Sequence, residues 1–248
     1  TIESSDIILF GAGETSVIKL ATGATAGQLL STAANLSGIR LMHLKFDGNS
    51  GEGSAQAGVK LIRTVDAKVL NCTFDDFSGN CLWLTNDGTA GNACTDTEVR
   101  GCRFLTSDDT HFLADDVDGL LVEGCVSKTS GAGGFDITAA GATSKIRRVQ
   151  VASCKVKDSA DEGIKLAGSG AAVTSDQINC QVIGCEVDTT TGTTKDAFLI
   201  GTDSLLMDRC VITGNRALSA TGRGFGISVE ESVVSGNMAH GNAGDCGC

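Results

Sequence analysis

Proline and tyrosine are absent from all 248 residues, tryptophan occurs once, and aromatic residues make up only 4% of the chain. Without proline every residue keeps its backbone N–H, which suits a fold that spends its amides on strand ladders. No apolar run approaches the roughly 18 residues that a membrane-crossing helix needs, so a helical span is excluded. Positive charge is scarce: 19 Lys and Arg stand against 30 Asp and Glu, giving a formal net charge of −11. Such a field repels phosphate backbones and no Lys/Arg run offsets it, which excludes nucleic acid as a partner. A hydrophobic share of 41% rules out a disordered chain.

What the chain has in quantity is glycine and cysteine, 33 and 11 residues. The cysteines recur in one local pattern, apolar-x-(Gly/Asn-like)-Cys-x-apolar, in VLNCTF (69–74), VRGCRF (99–104), VEGCVS (122–127), VASCKV (151–156), VIGCEV (182–187) and MDRCVI (207–212). LMHLKF (41–46) and VSGNMA (234–239) extend it, with Leu44 and Asn237 in the Cys position and steps of 23 to 31 residues throughout. Those steps match one coil of a β-solenoid with loops of variable length. A second series, GVKL, CLWL, HFLA, GFDI, GIKL, AFLI and GISV, starts at 58, 81, 111, 134, 163, 197 and 226 and alternates apolar with outward residues. That period of two marks a half-buried strand.

The expected fold is all-β: one right-handed parallel β-helix of about eight coils and three sheets, spanning 1–248. Residues 1–36 form an N-terminal coil with a Gly-rich turn, 37–240 the regular coils and 241–248 a tail. The residue before each Cys position (His43, Asn71, Gly101, Gly124, Ser153, Gly184, Arg209, Gly236) reads as a left-handed corner, with Arg209 the strained one. Cys72, Cys102, Cys125, Cys154, Cys185 and Cys210 then point inward as free thiols. Parallel neighbours about 4.8 Å apart sit too far for the roughly 3.8 Å Cβ spacing of a disulfide. Phe46, Phe74, Phe104, Val156, Val187 and Ile212 should share that interior.

Cys246 and Cys248 are a weak metal signal. Gly11 and Gly13 shape a turn between two strands and no nucleotide loop. The sequons at Asn35 and Asn71 are too short to fix a compartment. The chain opens on Thr1 and stops where another strand would be due, so it reads as part of something longer.

These features, with G-A-G-x-x-[ST]-x-I at 11–18, N-C-x-F and G-C-x-V corners and recurring G-[IVF]-x-[IL] strands, resemble the pectin-lyase-like β-helix superfamily, most closely its tailspike and epimerase-like branch. The resemblance implies carbohydrate chemistry outside the cell or on a virion, by an enzyme or by a non-catalytic adhesin or spike. Alginate-epimerase and pectate-lyase motifs that contain Tyr or Pro are excluded. Against the polygalacturonase pattern, Asp108-Asp109 falls in the Asp-Asp phase, but Ser78-Gly79-Asn80 and Gly133 replace its partners.

The candidate site lies on the GVKL-type sheet. Its outward row is expected to be Lys60, Trp83, Leu113, Asp136, Lys165, Leu199 and Ser228, with Asp108, Asp109, Asp161, Glu162 and Asp196 in the turns leading in. Asp109, Asp136, Asp161 and Lys165 are the catalytic candidates. Trp83, Asp108, Glu162 and Asp196 would hold substrate, the indole by stacking on a sugar ring unless a loop at 85–97 covers it. Asp109 and Asp161, two coils apart, suit inverting hydrolysis, and Asp136, one step from each, retaining hydrolysis. A lyase would instead use carboxylate-bound Ca²⁺ and Lys165 as base, against which Asp161 and Glu162 would raise the lysine pKa. His111 is the one His placed to act as a base. Apolar outward residues Leu70, Val126, Ile183, Val211 and Met238 suggest a homotrimer face.

Overall fold

The computed structural model describes residues 1–23, 25–51, 54–86, 93–139, 145–168, 177–202 and 207–244. They form a right-handed parallel β-helix with no α-helix. Among them, one sheet has twelve strands, from Ile8–Phe10 to Val233–Ser235. The second has nine, from Val17–Lys19 to Met238–His240, and the third eight, from Thr25–Ser31 to Phe225–Ile227. Gly11 and Gly13 lie between the first two strands of the chain. Each strand pairs in parallel with its counterpart one coil away, so side chains repeat in columns.

Two corners set the shape. At the first, between the first and second sheets, His43, Asn71, Gly101, Gly124, Ser153, Gly184, Gly214 and Gly236 all hold φ between +52 and +68. The next residue of each coil points inward: Leu44, Cys72, Cys102, Cys125, Cys154 and Cys185, then Asn215 and Asn237. Arg209 and Cys210 are not in this column. They belong to a kink within the first sheet, following Gly119, Arg148 and Asn179, where Cys210 stacks on Cys180. The segment INCQVIGC (178–185) holds both patterns; MDRC repeats its first half and ITGN its second. Ala217 accordingly takes the interior place expected for Ile212.

The corner column has one chemical task. Each coil leaves a carbonyl that the inward side chain of the next coil satisfies: Cys72 Sγ donates to Leu41 O at 3.5 Å, Cys102 to Val69 O at 3.3 Å, Cys125 to Val99 O at 3.4 Å, Cys154 to Val122 O at 3.6 Å and Cys185 to Val151 O at 3.5 Å. Asn215 Nδ2 to Val182 O and Asn237 Nδ2 to Ile212 O, both 2.9 Å, continue the series. Thiol and carboxamide are thus alternative donors at one position.

Nine cysteines among the described residues are buried and free. Burial pushes the Cys72 thiol up to about 11 and raises the Cys81 thiol well above its ordinary value. All nine are at most 2% exposed and a reagent must reach the sulfur, so native protein is expected to leave them unmodified by an alkylating reagent over a time in which urea-unfolded protein reacts fully. Intact-mass measurement checks this. Cys246 and Cys248 lie outside the described residues.

Phe46, Phe74 and Phe104 stack at 5.2 and 5.0 Å between centroids. The column then passes to Ser127, Val156 and Val187. Phe198 and Phe225 form a second stack at 4.8 Å. Each such pair contributes about 0.5–1.5 kcal/mol beyond its burial. A hydroxyl column prepares the turns that lead into the third sheet: Ser107, Ser130 and Ser159 donate to the carbonyls of Asp109, Ala132 and Asp161 at 2.6, 3.0 and 3.1 Å. Each hydroxyl closes a tight turn two residues on.

The five outward apolar residues do not form one face. Leu70 neighbours Met42 and Arg100, Val126 sits between Arg103 and Lys155, and Ile183 neighbours Ala152 and Thr213. Val211 is on the first sheet and Met238 on the second. No single strip joins them as a trimer face.

Candidate functional site

The outward row of the third sheet runs Ser31, Lys60, Trp83, Leu113, Asp136, Lys165, Leu199 and Gly226. Gly226 stands where Ser228 was expected. The segment GFGISV contains the strand motif in two phases, and the phase adopted sets Phe225 inward on Phe198. Burying that ring decides the register.

Trp83 is half-buried and anchored at both edges of its chemistry. Its indole N–H donates to Asp115 Oδ2 at 2.8 Å, and Asp115 Oδ1 accepts from Thr138 Oγ1 at 2.8 Å. Lys60 Nζ lies 4.0 Å from the ring centroid. The ring is oriented but one face is already taken by an ammonium, so a sugar stacking there displaces Lys60. Residues 87–92 of the proposed covering loop are outside the described ones. Asp115 escaped the sequence reading, although strand parity puts it on the same face as Leu113.

In the turns, chain register places Asp109 beside Ala132 and Ala132 beside Asp161, so Asp109 and Asp161 are two coils apart, as expected. Backbone spacing is then about 9.6 Å. Asp136 is not in line with them: it is four residues beyond Ala132, out on the strand. It pairs with Lys165 at 3.3 Å. This separates it from the retaining geometry and gives Lys165 a partner other than the expected Asp161 and Glu162. Burial raises the Asp136 pKa, with Lys165 opposing.

Asp161 and Glu162 instead share Lys195, whose Nζ contacts Asp161 and lies 3.7 Å from Glu162 Oε1. Burial, reinforced by the hydrogen bond to Asp161 and its charge, pushes Glu162 up to about 7. Burial acts to raise Asp161 as well, but the hydrogen bond with Glu162 and the Lys195 ammonium outweigh it and hold that carboxyl below the ordinary range. The pair divides its roles by environment: Glu162 carries a proton near neutrality and Asp161 does not. Asp196, 7% exposed, is engaged by Arg223, whose Nε and Nη2 donate to Oδ2 at 3.2 and 2.8 Å. It holds an arginine in place and is not free to meet substrate.

Between these groups is a stretch without side-chain bulk, Gly131-Ala132-Gly133-Gly134. A Cβ at Gly133 would have Thr110 Oγ1, Asp136 Cβ and Glu162 O each at 3.6 Å, so glycine leaves a notch among them. Asp108 and Asp109 are exposed on one side, and Asp109 Oδ1 accepts its neighbour Thr110 N at 2.8 Å.

His111 is withdrawn from the site. It faces the core, fully buried, with Nδ1 2.7 Å from Ser127 Oγ and its ring 6.1 Å from Phe104. Burial lowers its pKa to about 3. It fills the volume where the phenylalanine column ends, and cannot serve as a surface base. Among the described residues no three His, Cys, Asp or Glu side chains converge as a metal site, and no helix is long and apolar enough to cross a membrane.

Comparison with solved structures finds the same fold in two polysaccharide-related proteins. A family 28 exopolygalacturonase from Yersinia enterocolitica matches with a TM-score of 0.58 and 10% identity, over 89% of this chain and 42% of that one. The tailspike protein gp49 of Acinetobacter baumannii bacteriophage Fri1, a capsular polysaccharide depolymerase, matches with a TM-score of 0.51 and 17% identity, over 92% and 43%. The chain spans less than half of either structure. No curated protein sequence matches it. The family model described as "Right handed beta helix region" matches residues 42–187 and 91–248. The chain therefore belongs to the right-handed β-helix family, with the pectin-lyase-like fold.

Proposed function

We propose that the outward face of the third sheet binds a polysaccharide, its chain crossing successive coils from Trp83 past the Gly133 notch toward Leu199. The carrying observation is the placement, on one face, of an oriented indole and the Gly133 notch between Thr110, Asp136 and Glu162. Coil spacing of about 4.8 Å lets a row of sugars meet several coils in turn. That the two structural neighbours are named as an exopolygalacturonase and a capsular polysaccharide depolymerase supports this reading, and that the second is a bacteriophage tailspike supports a place outside the cell or on a virion.

Glycan-array screening followed by titration calorimetry tests it. Trp83→Ala is expected to weaken the best ligand about tenfold, or ~1.4 kcal/mol. Unchanged affinity in this variant would remove the third-sheet face from consideration.

The raised Glu162 carboxyl favours a second reading, hydrolysis with inversion. Glu162 would protonate the leaving glycosidic oxygen as its C–O bond breaks, while Asp109 across the notch takes a proton from the water that forms the new C–O bond. Carboxyls about two coils apart leave room for that water. A lyase has less support, because Lys165 is bound to Asp136, and Asp161, Glu162 and Asp196 are engaged by Lys195 or Arg223. A spike or adhesin that binds without cleavage is the outcome if no glycan is cut.

A further inference from the structure

The first sheet carries a separate hollow of about 250 Å³ on the outside of its kink. Among its lining residues is Gly119, φ +80, where a Cβ would stand 2.5 Å from Asp96 Oδ1 and 3.2 Å from Arg148 Nη2. The side chains of two neighbouring coils thus lean over a residue that has none, and the Glu98–Leu121–Gln150 row forms the adjoining wall. Thr97, also lining the hollow, is 1% exposed and its Oγ1 has no hydrogen-bond partner.

The charges here already balance one another. Arg148 Nε donates to Asp118 Oδ1 at 2.7 Å and its Nη1 lies 3.5 Å from Asp96, while Glu98 is met by Lys68 Nζ at 3.0 Å. An added ion would compete with these pairs. A neutral polyol matches them, since each hydroxyl can accept from guanidinium or carboxamide and donate to carboxylate, and the apolar edge of Leu121 can receive a C–H face. The volume is too small for a nucleotide-sized cofactor and suits one sugar ring.

We propose that this hollow is a second saccharide site, taking a single neutral pyranose residue, on a different sheet from the third-sheet face and independent of it. Full-length ¹⁵N-labelled protein titrated with methyl glucoside, methyl galactoside and methyl mannoside tests this. Shifts at the Gly119 and Leu121 amides and the Gln150 side-chain amide are expected for at least one glycoside. Leu121→Trp, which fills the hollow from an outward position, is expected to raise its Kd at least about tenfold, whereas Trp83→Ala leaves it unchanged. No shift with any of the three, shifts that survive Leu121→Trp, or a response to galacturonate or glucosamine alone would overturn the proposal. Because the two variants act on different sheets, loss of one site does not read as loss of the other.

Discussion

Asn215→Ala is expected to destabilise the fold by about 3–5 kcal/mol, more than truncation of any single corner thiol. The carboxamide is fully buried and satisfies three groups at once: Nδ2 donates to Val182 O and to Asn237 Oδ1, and Oδ1 accepts from Cys185 N, all at 2.9 Å. Alanine leaves a buried carbonyl and a buried amide without partners, each costing roughly 1–3 kcal/mol. Asn215→Cys restores a donor toward Val182 O, as Cys185 supplies toward Val151 O, but no acceptor for the Cys185 amide. Its cost should be about half. Urea unfolding followed by circular dichroism gives both values, and equal losses in the two variants would contradict the idea of interchangeable donors.

The second large effect concerns Glu162. If the face hydrolyses glycan, Glu162→Gln should lower turnover by about 10²–10⁴-fold, since general acid catalysis contributes that much. The pH profile identifies the role. The acid is competent while protonated, so the wild-type rate is expected to fall as pH rises through about 7, the value to which burial and Asp161 raise the group. Folding stability moves the same way. A carboxyl raised from 4.5 in the folded protein gives its stabilisation fully at low pH and loses it as pH climbs through about 7. Glu162→Gln should flatten that limb in thermal unfolding even when no substrate has been found, so the proton's location can be checked apart from activity.

The stack itself was readable because its period was written in residue types with few alternatives: a small or left-handed corner, then an inward side chain, at steps of 23 to 31 residues. The reading slipped where one coil contains both corner patterns. Cys180 and Cys185 stand five residues apart, and Cys210 looks equally like a successor to either; only the pairing of Ile178 with Asp208 and of Gln181 with Val211 resolves them. The end of the third sheet slipped for a similar reason, a repeated G-x-x motif whose phase depends on where Phe225 finds a ring to stack on.

Site residues were less legible than the fold. Parity put Trp83, Asp136 and Lys165 on the surface, yet their partners are set by side-chain reach between coils: Trp83 to Asp115, Lys165 to Asp136, and Lys195 to Asp161. His111 shows the limit of parity at a corner, since it and Phe112 are consecutive and both buried. The contrast between Asp161 and Glu162 is invisible in sequence, because adjacent acidic residues differ only in how much protein surrounds each.

An oligosaccharide identified by array screening, followed residue by residue in ¹⁵N-labelled protein, tests the central claim most directly. The account requires the largest shifts to trace a line over the third sheet through Trp83, Leu113, Gly133, Asp136 and Leu199. A footprint confined to the first and second sheets, or no perturbation from any bound glycan on the third, would contradict it.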